Sequence, residues 1–399
     1  MVSEYKLGDK ILELKICNFF IIIKLLRTIK KDHSSVIVHT HSTKAGLVGR
    51  WAAWFAGIPT RIHTIHGFSF HEYQPKFFQL IHKAIEWVTS IITTQYICVS
   101  NADAQTATTF IPNFSQKQII IRAAVDEEKF LAARSTEKIK NDNFIIGTVA
   151  CFKPQKNLFD LLRAFKNAYS INDRLRLEII GDGLKRTEIE SWINQENLQY
   201  VITLHGWQEN VAPFMKRWNL FALSSLWEGL PCAVVEARLV GLPVVAYQTG
   251  GIPEVIQDGV NGILIKKKEW ETLAQSFLLL SKNSTIYHNM CNHQENLNSF
   301  KQTEMVNNHI ALYRAATKKI QVLSACIALI CGTIRPSTPP SISFHIQSGS
   351  VAPCPNKNEK PVPFSGPSGK QHETFEAVVG LRSLFKNVNR IIDAPKQRK

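Results

Sequence analysis

Two glutamates stand eight positions apart in the stretch Ser224-Ser225-Leu226-Trp227-Glu228-Gly229-Leu230-Pro231-Cys232-Ala233-Val234-Val235-Glu236. In a chain with 22 Glu such a spacing arises by chance, so the frame around the pair carries the signal. Asn219 to Ser225 is predicted as a buried strand. Gly229-Leu230-Pro231 is predicted as the turn that opens a helix, with Pro231 at the first helical position, Gly241 at the exit and Pro243 where a new strand resumes. Glu228 then lies at the carboxyl end of a strand, and Glu236 about a turn and a half into the following helix. Open α/β sheets bind ligands at that place, and a fixed carboxylate there accepts hydrogen bonds from hydroxyls. The competing reading is that Glu228 is an anion at the amino end of its helix and does no more.

Three further groups have side chains suited to chemistry. Cys151-Phe152-Lys153-Pro154-Gln155-Lys156-Asn157 places Lys153 and Lys156 in one loop, as cations for an anionic ligand or as a solvated turn. Gly250-Gly251-Ile252-Pro253 either permits close backbone approach to a ligand or is a plain turn. His66, in Ile62-His63-Thr64-Ile65-His66-Gly67-Phe68, falls at a strand end, either facing a cleft or packing internally; His63, of the opposite facing, is assigned to packing. Gly181-Asp182-Gly183 lacks the third glycine of a dinucleotide fingerprint and is read as a turn. None of the ten aspartates forms Asp-x-Asp, and the eight cysteines form neither a CxxC pair nor a His-Cys cluster at zinc spacing. Leu47, Trp51, Trp54 and Phe55 make a stripe at helical spacing beside Lys44 and Arg50, which either packs on a sheet or touches a membrane.

The elements that must position these residues alternate. Strands are predicted at 36–39, 61–65, 96–100, 119–121, 144–150, 176–180, 203–205, 220–225 and 244–247, with helices at 9–31, 43–55, 74–89, 101–109, 158–169 and 188–194. In the 74–89 helix Phe78, Ile81, Ile85 and Val88 share one face. This alternation predicts an α/β protein of two Rossmann-like, doubly wound domains facing across a cleft. Residues 1–133 would form the first, 134–304 the second; 305–317 would be a helix returning to the first; and 318–399 a basic Pro/Ser/Lys-rich tail without a core. A short helix at 374–392 is conceivable within it.

The 399 residues are 45% hydrophobic and 20% charged, which describes a globular protein rather than a disordered or fibrous one. The scattered cysteines suit a reducing cytoplasm, and no signal-peptide pattern opens the chain. The longest apolar run, Phe19 to Leu26, contains Lys24 and is far shorter than the ~20 residues of a membrane span. Of the net charge of +15, the tail contributes +8 from 12 Lys/Arg against 4 Asp/Glu, leaving +7 on residues 1–317. That balance fits a protein handling diphosphates near an anionic surface. The basic residues are not interleaved with aromatics, so no nucleic acid is expected as partner.

The Glu228 and Glu236 frame resembles the donor-sugar site of retaining glycosyltransferases of family 4, a group with the GT-B fold. The match continues through Ala246-Tyr247-Gln248-Thr249-Gly250-Gly251-Ile252-Pro253-Glu254-Val255-Ile256 and Asp258-Gly259-Val260-Asn261-Gly262, and spans roughly residues 33 to 317. The resemblance implies that Lys156 contacts the donor diphosphate. Arginine is usual where Cys151 stands, and Lys153 would supply that charge. It implies further that Glu228 hydrogen-bonds the transferred sugar, that Gly229, Leu230 and Pro231 pack against that sugar, and that Glu236 accepts from the ribose hydroxyls. Gly250 and Gly251 would approach the phosphates, and His66 would face the cleft near sugar or acceptor. Helix amino-termini and fixed cations would replace a metal, so neither metal nor cofactor is expected.

Two departures from the family pattern stand out. Nothing before Val36 reads as the usual opening strand and glycine-rich loop, and the tail from Lys318 matches nothing in the family. The expected activity is retaining, metal-independent transfer of a hexose from a nucleotide-diphosphate sugar to a hydroxyl of a surface-glycan or lipid-linked acceptor. It would take place in the cytoplasm, peripherally at the inner face of the plasma membrane. The alternatives are a catalytically impaired nucleotide-sugar-binding remnant and a basic binding protein acting through its tail.

Overall fold

The computed structural model describes residues 19–33, 35–134 and 143–331. The opening segment, most of the 134–143 linker and the tail beyond 331 lie outside these residues. So do the first half of the 9–31 helix, the expected absence of an opening strand and loop, and the suggested helix at 374–392.

Two fully parallel sheets organise the chain. The first has the order β1 (Ile37–His41), β2 (Thr60–Ile65), β3 (Gln95–Cys98), β4 (Gln118–Ile120). Its crossovers run through α2 (Thr43–Phe55), α3 (Lys76–Ile92), α4 (Asn101–Thr108) and the single turn α5 (Phe114–Lys117), with helix α1 over 19–32 preceding them. The second sheet has the order β10 (Gly262–Ile265), β9 (Val244–Tyr247), β8 (Leu220–Leu223), β5 (Phe144–Val149), β6 (Leu175–Ile180), β7 (Ile202–Leu204). Its helices are α7 (Leu158–Tyr169), α8 (Arg186–Gln195), α9 (Ala212–Arg217), α10 (Cys232–Val240), α11 (Trp270–Lys282) and α12 (Ser284–Asn292), with α6 (Glu127–Leu131) leading in from the first domain. Both halves are thus Rossmann-like.

Parallel strands are covered on both faces, which is why they read as continuous apolar runs. The second sheet separates two cores: Leu161, Phe165, Leu273 and Phe277 pack on one face, and Trp218, Val234, Val235 and Ile252 on the other. Gly147 in β5 accommodates the buried Trp218, whose ring would lie within 1.9 Å of a Cβ at that position. β10 was not anticipated from the sequence, and Pro231 is the N-cap of α10 rather than its first helical residue. Gly241 does close α10, in the left-handed conformation at φ 87°.

The returning helix is α13 (Gln302–Cys331). Its Tyr313 and Met305 pack against Ile62, Ile97 and Ile121 of the first domain, so a C-terminal helix completes the N-terminal core.

The helix expected at 74–89 forms as α3, but its apolar face is not a core face. Phe78, Ile81, Ile85 and Val88 are exposed, and α3 buries Glu86, Thr89, Ser90 and Ile92 instead. The reason is Arg50, fully buried in α2, whose guanidinium binds both Glu86 carboxylate oxygens at 3.2 and 3.0 Å and the Gly46 carbonyl at 3.0 Å. Trp51 Nε1 adds a bond to Thr89 Oγ1 at 3.2 Å. α2 and α3 follow β1 and β2, so this polar seam also fixes the loops that carry His41 and His66.

Arg50→Ala, which strands a buried carboxylate, is expected to cost about 3–5 kcal/mol in urea unfolding. The double change Arg50→Met with Glu86→Leu is expected to recover most of that loss.

Candidate active site

The carboxyl ends of both sheets face one another. β8 delivers Glu228 through Ser224, Ser225, Leu226 and Trp227, and β5 delivers the 151–157 loop beside it. The two segments are stitched by backbone: Leu226 N–H donates to the Gln155 carbonyl at 2.8 Å, and Ser224 Oγ donates to the carbonyls of Lys156 and Asn157, both at 3.0 Å. Gln155 Nε2 reaches the Trp227 carbonyl at 2.7 Å. Residues 154–156 form a turn of 3-10 helix, closed by Asn157 in the left-handed region. These constraints leave Lys156 ion-paired with Glu228, whose side chain is 8% exposed.

Lys153 lies exposed on the same loop, away from that pair. Gly181-Asp182-Gly183 is a turn that supports the loop from behind. Phe152 N–H donates to the Asp182 carbonyl at 2.8 Å, and a Cβ on Gly181 would stand 2.0 Å from the Ala150 carbonyl oxygen.

Gly229, Leu230 and Pro231 are buried where α10 begins. Gly250, at φ 52°, and Gly251 press against this turn: a Cβ on Gly250 would lie 2.1 Å from the Glu228 carbonyl oxygen, and Gly251 N–H donates to the Gly229 carbonyl at 2.6 Å. The close approach that the glycine pair permits in this structure is therefore to the Glu228 loop. From the first domain, Gly67, at φ 100°, meets Gly229, on which a Cβ would stand 2.6 Å from the His66 carbonyl oxygen.

Glu236 stands one turn along α10 from Cys232, within electrostatic reach of Lys129, and accepts no hydrogen bond from the described residues. Desolvation, only partly offset by Lys129, raises its pKa to about 7. Burial, with Glu236 and Glu228 nearby, pushes the Cys232 thiol up to about 12.

His66 is one of a group that sequence reasoning left unassembled. His66 Nε2 is hydrogen-bonded to His41 Nδ1 at 3.0 Å. The His41 ring lies 4.4 Å from that of His39, which binds Tyr313 Oη at 2.6 Å and Thr64 Oγ1 at 2.7 Å. His309 of α13 completes the group, 5.8 Å from His39. Burial lowers all four, and repulsion from neighbouring histidines adds to it for three: His41 falls to about 4, His39 well below the ordinary value and His66 below it, while His309 is lowered by burial alone against a bond to the Met305 carbonyl. At neutral pH these imidazoles are uncharged. His39 and His41 share a face of β1 at a spacing of two, a signal present in the sequence; His309 is 268 positions from His41 and gave none. His63 packs, as expected: it is buried, bonded to Thr40 Oγ1 at 2.9 Å and covered by Gly46.

Two clamps hold the halves together beside these residues. Glu254 accepts from Asn101 Nδ2 at 2.9 Å and the Ala102 N–H at 3.1 Å, and pairs with Arg122 at 2.7 Å. Trp227 stacks on His71, ring centroids 3.6 Å apart and 11° from parallel, while Lys267 pairs with Glu72 and Lys268 lies 4.4 Å over the Tyr73 ring. No helix among the described residues is long and apolar enough to cross a membrane. Among them, no three His, Cys, Asp or Glu side chains converge on a point that would hold a metal ion.

Comparison with known proteins agrees with this architecture. Residues 12–129 match the model for Glycosyltransferase Family 4, and residues 130–297 that for Glycosyl transferases group 1. A UDP-Gal:alpha-D-GlcNAc-diphosphoundecaprenol alpha-1,3-galactosyltransferase of Escherichia coli is 31% identical over 277 residues, covering 66% of this chain and 71% of that protein. The capsular polysaccharide biosynthesis glycosyltransferase CapM of Staphylococcus aureus is 24% identical over 67% of this chain and 74% of its own. Among solved structures, Anabaena Alr3699/HepE in complex with UDP and glucose superposes with a TM-score of 0.61, at 19% identity, over 72% of this chain and 80% of that one. Sucrose-phosphate synthase of Thermosynechococcus elongatus superposes with 0.62, at 18% identity, over 75% and 79%. The two facing domains are therefore those of the GT-B fold.

The raised pKa of Glu236 has a consequence for stability. The unfolded carboxyl ionises near 4.5, whereas the folded one holds its proton to about 7. Stability contributed by that proton is present below pH 4.5 and is lost as pH rises through 7. Glu236→Gln is expected to stabilise the protein by about 3 kcal/mol at pH 8 and by no more than about 1 kcal/mol at pH 5. Denaturant unfolding at the two pH values checks this; a gain that does not grow with pH contradicts it.

Proposed function

This chain belongs to the glycosyltransferases of the group 1 and family 4 models, and on that premise we propose that it is a retaining, metal-independent hexosyltransferase. The donor would be a uridine-diphosphate hexose and the acceptor a hydroxyl on a lipid-diphosphate-linked sugar of a growing surface glycan. The observation that carries this reading is the Lys156–Glu228 pair at the strand ends, facing His66 across the Gly67–Gly229 contact, with the unpartnered Glu236 one helical stretch away. The named substrates of the E. coli relative, and the UDP and glucose bound by the Anabaena protein, supply the substrate class.

The chemistry distributes as follows. The sugar C1–oxygen bond to the diphosphate breaks, a new C1–oxygen bond to the acceptor forms on the same face, and the acceptor hydroxyl's proton passes to the departing diphosphate oxygen. Charge accumulates on the departing diphosphate, and Lys156, released toward it from Glu228, stabilises it; Lys153 adds positive potential from the same loop. A fixed ammonium in a recess does this without a metal. Glu228 accepts from a sugar hydroxyl and fixes the ring, with Gly229, Leu230 and Pro231 as its floor. Glu236 accepts from the ribose hydroxyls, and an ionised or shared-proton carboxyl without a competing partner suits that task. Gly250 and Gly251 keep the 228–230 turn low enough for the diphosphate to pass above it. His66, neutral at pH 7, contacts the transferred sugar or the acceptor hydroxyl as a hydrogen-bonding group.

A panel of UDP-, GDP- and ADP-hexoses with a diphosphate-linked GlcNAc acceptor tests the reading. Glu228→Ala is expected to lower turnover at least about a thousandfold, and Lys156→Ala and His66→Ala each about a hundredfold to a thousandfold, with the native circular dichroism spectrum retained. EDTA is expected to leave turnover unaltered. Wild-type turnover by Glu228→Ala contradicts the assignment, and donor binding by calorimetry without product from the wild type would mark an impaired remnant.

A further inference from the structure

We propose that α3 is a membrane-docking helix that lies flat on an anionic bilayer and holds the cleft at the lipid surface. The observation is its inverted amphipathicity. The face turned to the protein carries Glu86 and Thr89, bonded into the α2 seam, and the buried Ser90, while the face turned outward is apolar. Phe77, Leu80, Trp87 and Ile91, at helical spacings of three, seven and four, form its outermost stripe and are 69%, 66%, 46% and 69% exposed. A soluble surface helix presents the opposite pattern. Trp54 and Phe55, exposed at the end of α2, extend the apolar surface toward Phe20 of α1, with Phe55 and Phe19 ring centroids 6.0 Å apart.

Charge selects the occupant. The only acid on α3, Glu86, is buried against Arg50. Around the apolar surface stand cations, Lys76 and Lys83 on α3 and Lys24, Arg27, Lys30 and Lys31 exposed on α1, against one exposed acid on α1, Asp32. An apolar helix face with a basic border suits lipid tails and anionic headgroups. Two copies meeting through this face would oppose like-charged borders.

Placement gives the surface a purpose. The 66–75 loop that begins at His66 runs directly into the start of α3, and Lys83 Nζ, about two turns along that helix, sits 5.3 Å over the loop's Phe70 ring. A bilayer against α3 therefore lies beside the mouth of the cleft, so a lipid-anchored diphosphate sugar reaches Glu228 while its chain stays in the membrane. This last step rests on the proposed function; docking itself does not.

Flotation of the full-length protein with vesicles of phosphatidylcholine alone, and of phosphatidylcholine with phosphatidylglycerol, tests the proposal. The wild type is expected to float with the anionic vesicles and remain below with the neutral ones. Leu80→Glu with Ile91→Glu, and separately both changed to Ser, are expected to lower partitioning at least about tenfold. Leu184→Glu, at a fully solvated apolar residue of the second domain, is expected to float as the wild type does. All variants should retain turnover on a water-soluble acceptor. Unchanged flotation of both double variants overturns the proposal and points to another basic segment. Equal binding to neutral vesicles overturns its charge component. A wild type that stays unbound but is a dimer, dissociated by the same changes, shows that a second copy covers the face. Flotation without any sugar transfer leaves docking standing and removes only the enzymatic reading.

Discussion

Everything at this site depends on backbone meeting backbone without intervening side chains. Gly67 against Gly229, and Gly250 with Gly251 against the Glu228–Gly229 carbonyls, leave no room for a Cβ at three of the four positions without collision below 3 Å. This packing sets how closely the domains approach and how deeply Glu228 sits. Because Gly67 and Gly250 also occupy left-handed φ values, their replacement is resisted by conformation as well as by space. The ion pair, the histidine group and the clamps at Glu254 and Trp227 are all arranged around a separation that glycine makes possible.

The electrostatics of the cleft follow from this closeness. Lys156 and Glu228 neutralise one another, burial holds the four histidines neutral with repulsion adding to it for His39, His41 and His66, and Glu236 keeps its proton to about 7. The site is thus nearly uncharged until an anion arrives, and Lys156 is already bound to the carboxylate that would hold the sugar. On the proposed function an incoming diphosphate would compete for Lys156, which would couple leaving-group binding to the freedom of Glu228. The low dielectric that makes this exchange sensitive also makes Glu236 costly to ionise when nothing hydrogen-bonds it.

The same economy of polar groups explains the first domain's outer surface. Arg50 needs a buried carboxylate, and Glu86 provides it only if α3 turns its polar side inward. Its apolar residues then have nowhere to go but outward. A salt bridge that organises the loops behind His41 and His66 thereby also defines the face the domain shows to its surroundings.

The sequence by itself determined the fold class and one side of the site. Alternating apolar strands and helices with Gly and Pro at their ends are local signals, so the two parallel sheets, Gly241 closing α10, Glu228 at a strand end and the packing role of His63 were all legible. The turn reading of Gly181-Asp182-Gly183 was legible for the same reason. What required the tertiary structure were relations between distant segments. His41 and His66 meet because β1 and β2 are neighbours; His309 joins them only because α13 returns across the chain. The direction in which α3 faces was illegible because helical period identifies an apolar stripe but not its partner, and here one buried Arg50–Glu86 pair turns the stripe outward. Lys153 and Lys156 are equivalent in a string of letters, yet a 3-10 turn aims one at Glu228 and leaves the other in solvent. Local pattern reports propensity and period; which groups share a buried space is decided by packing, and the chemistry of this cleft resides there.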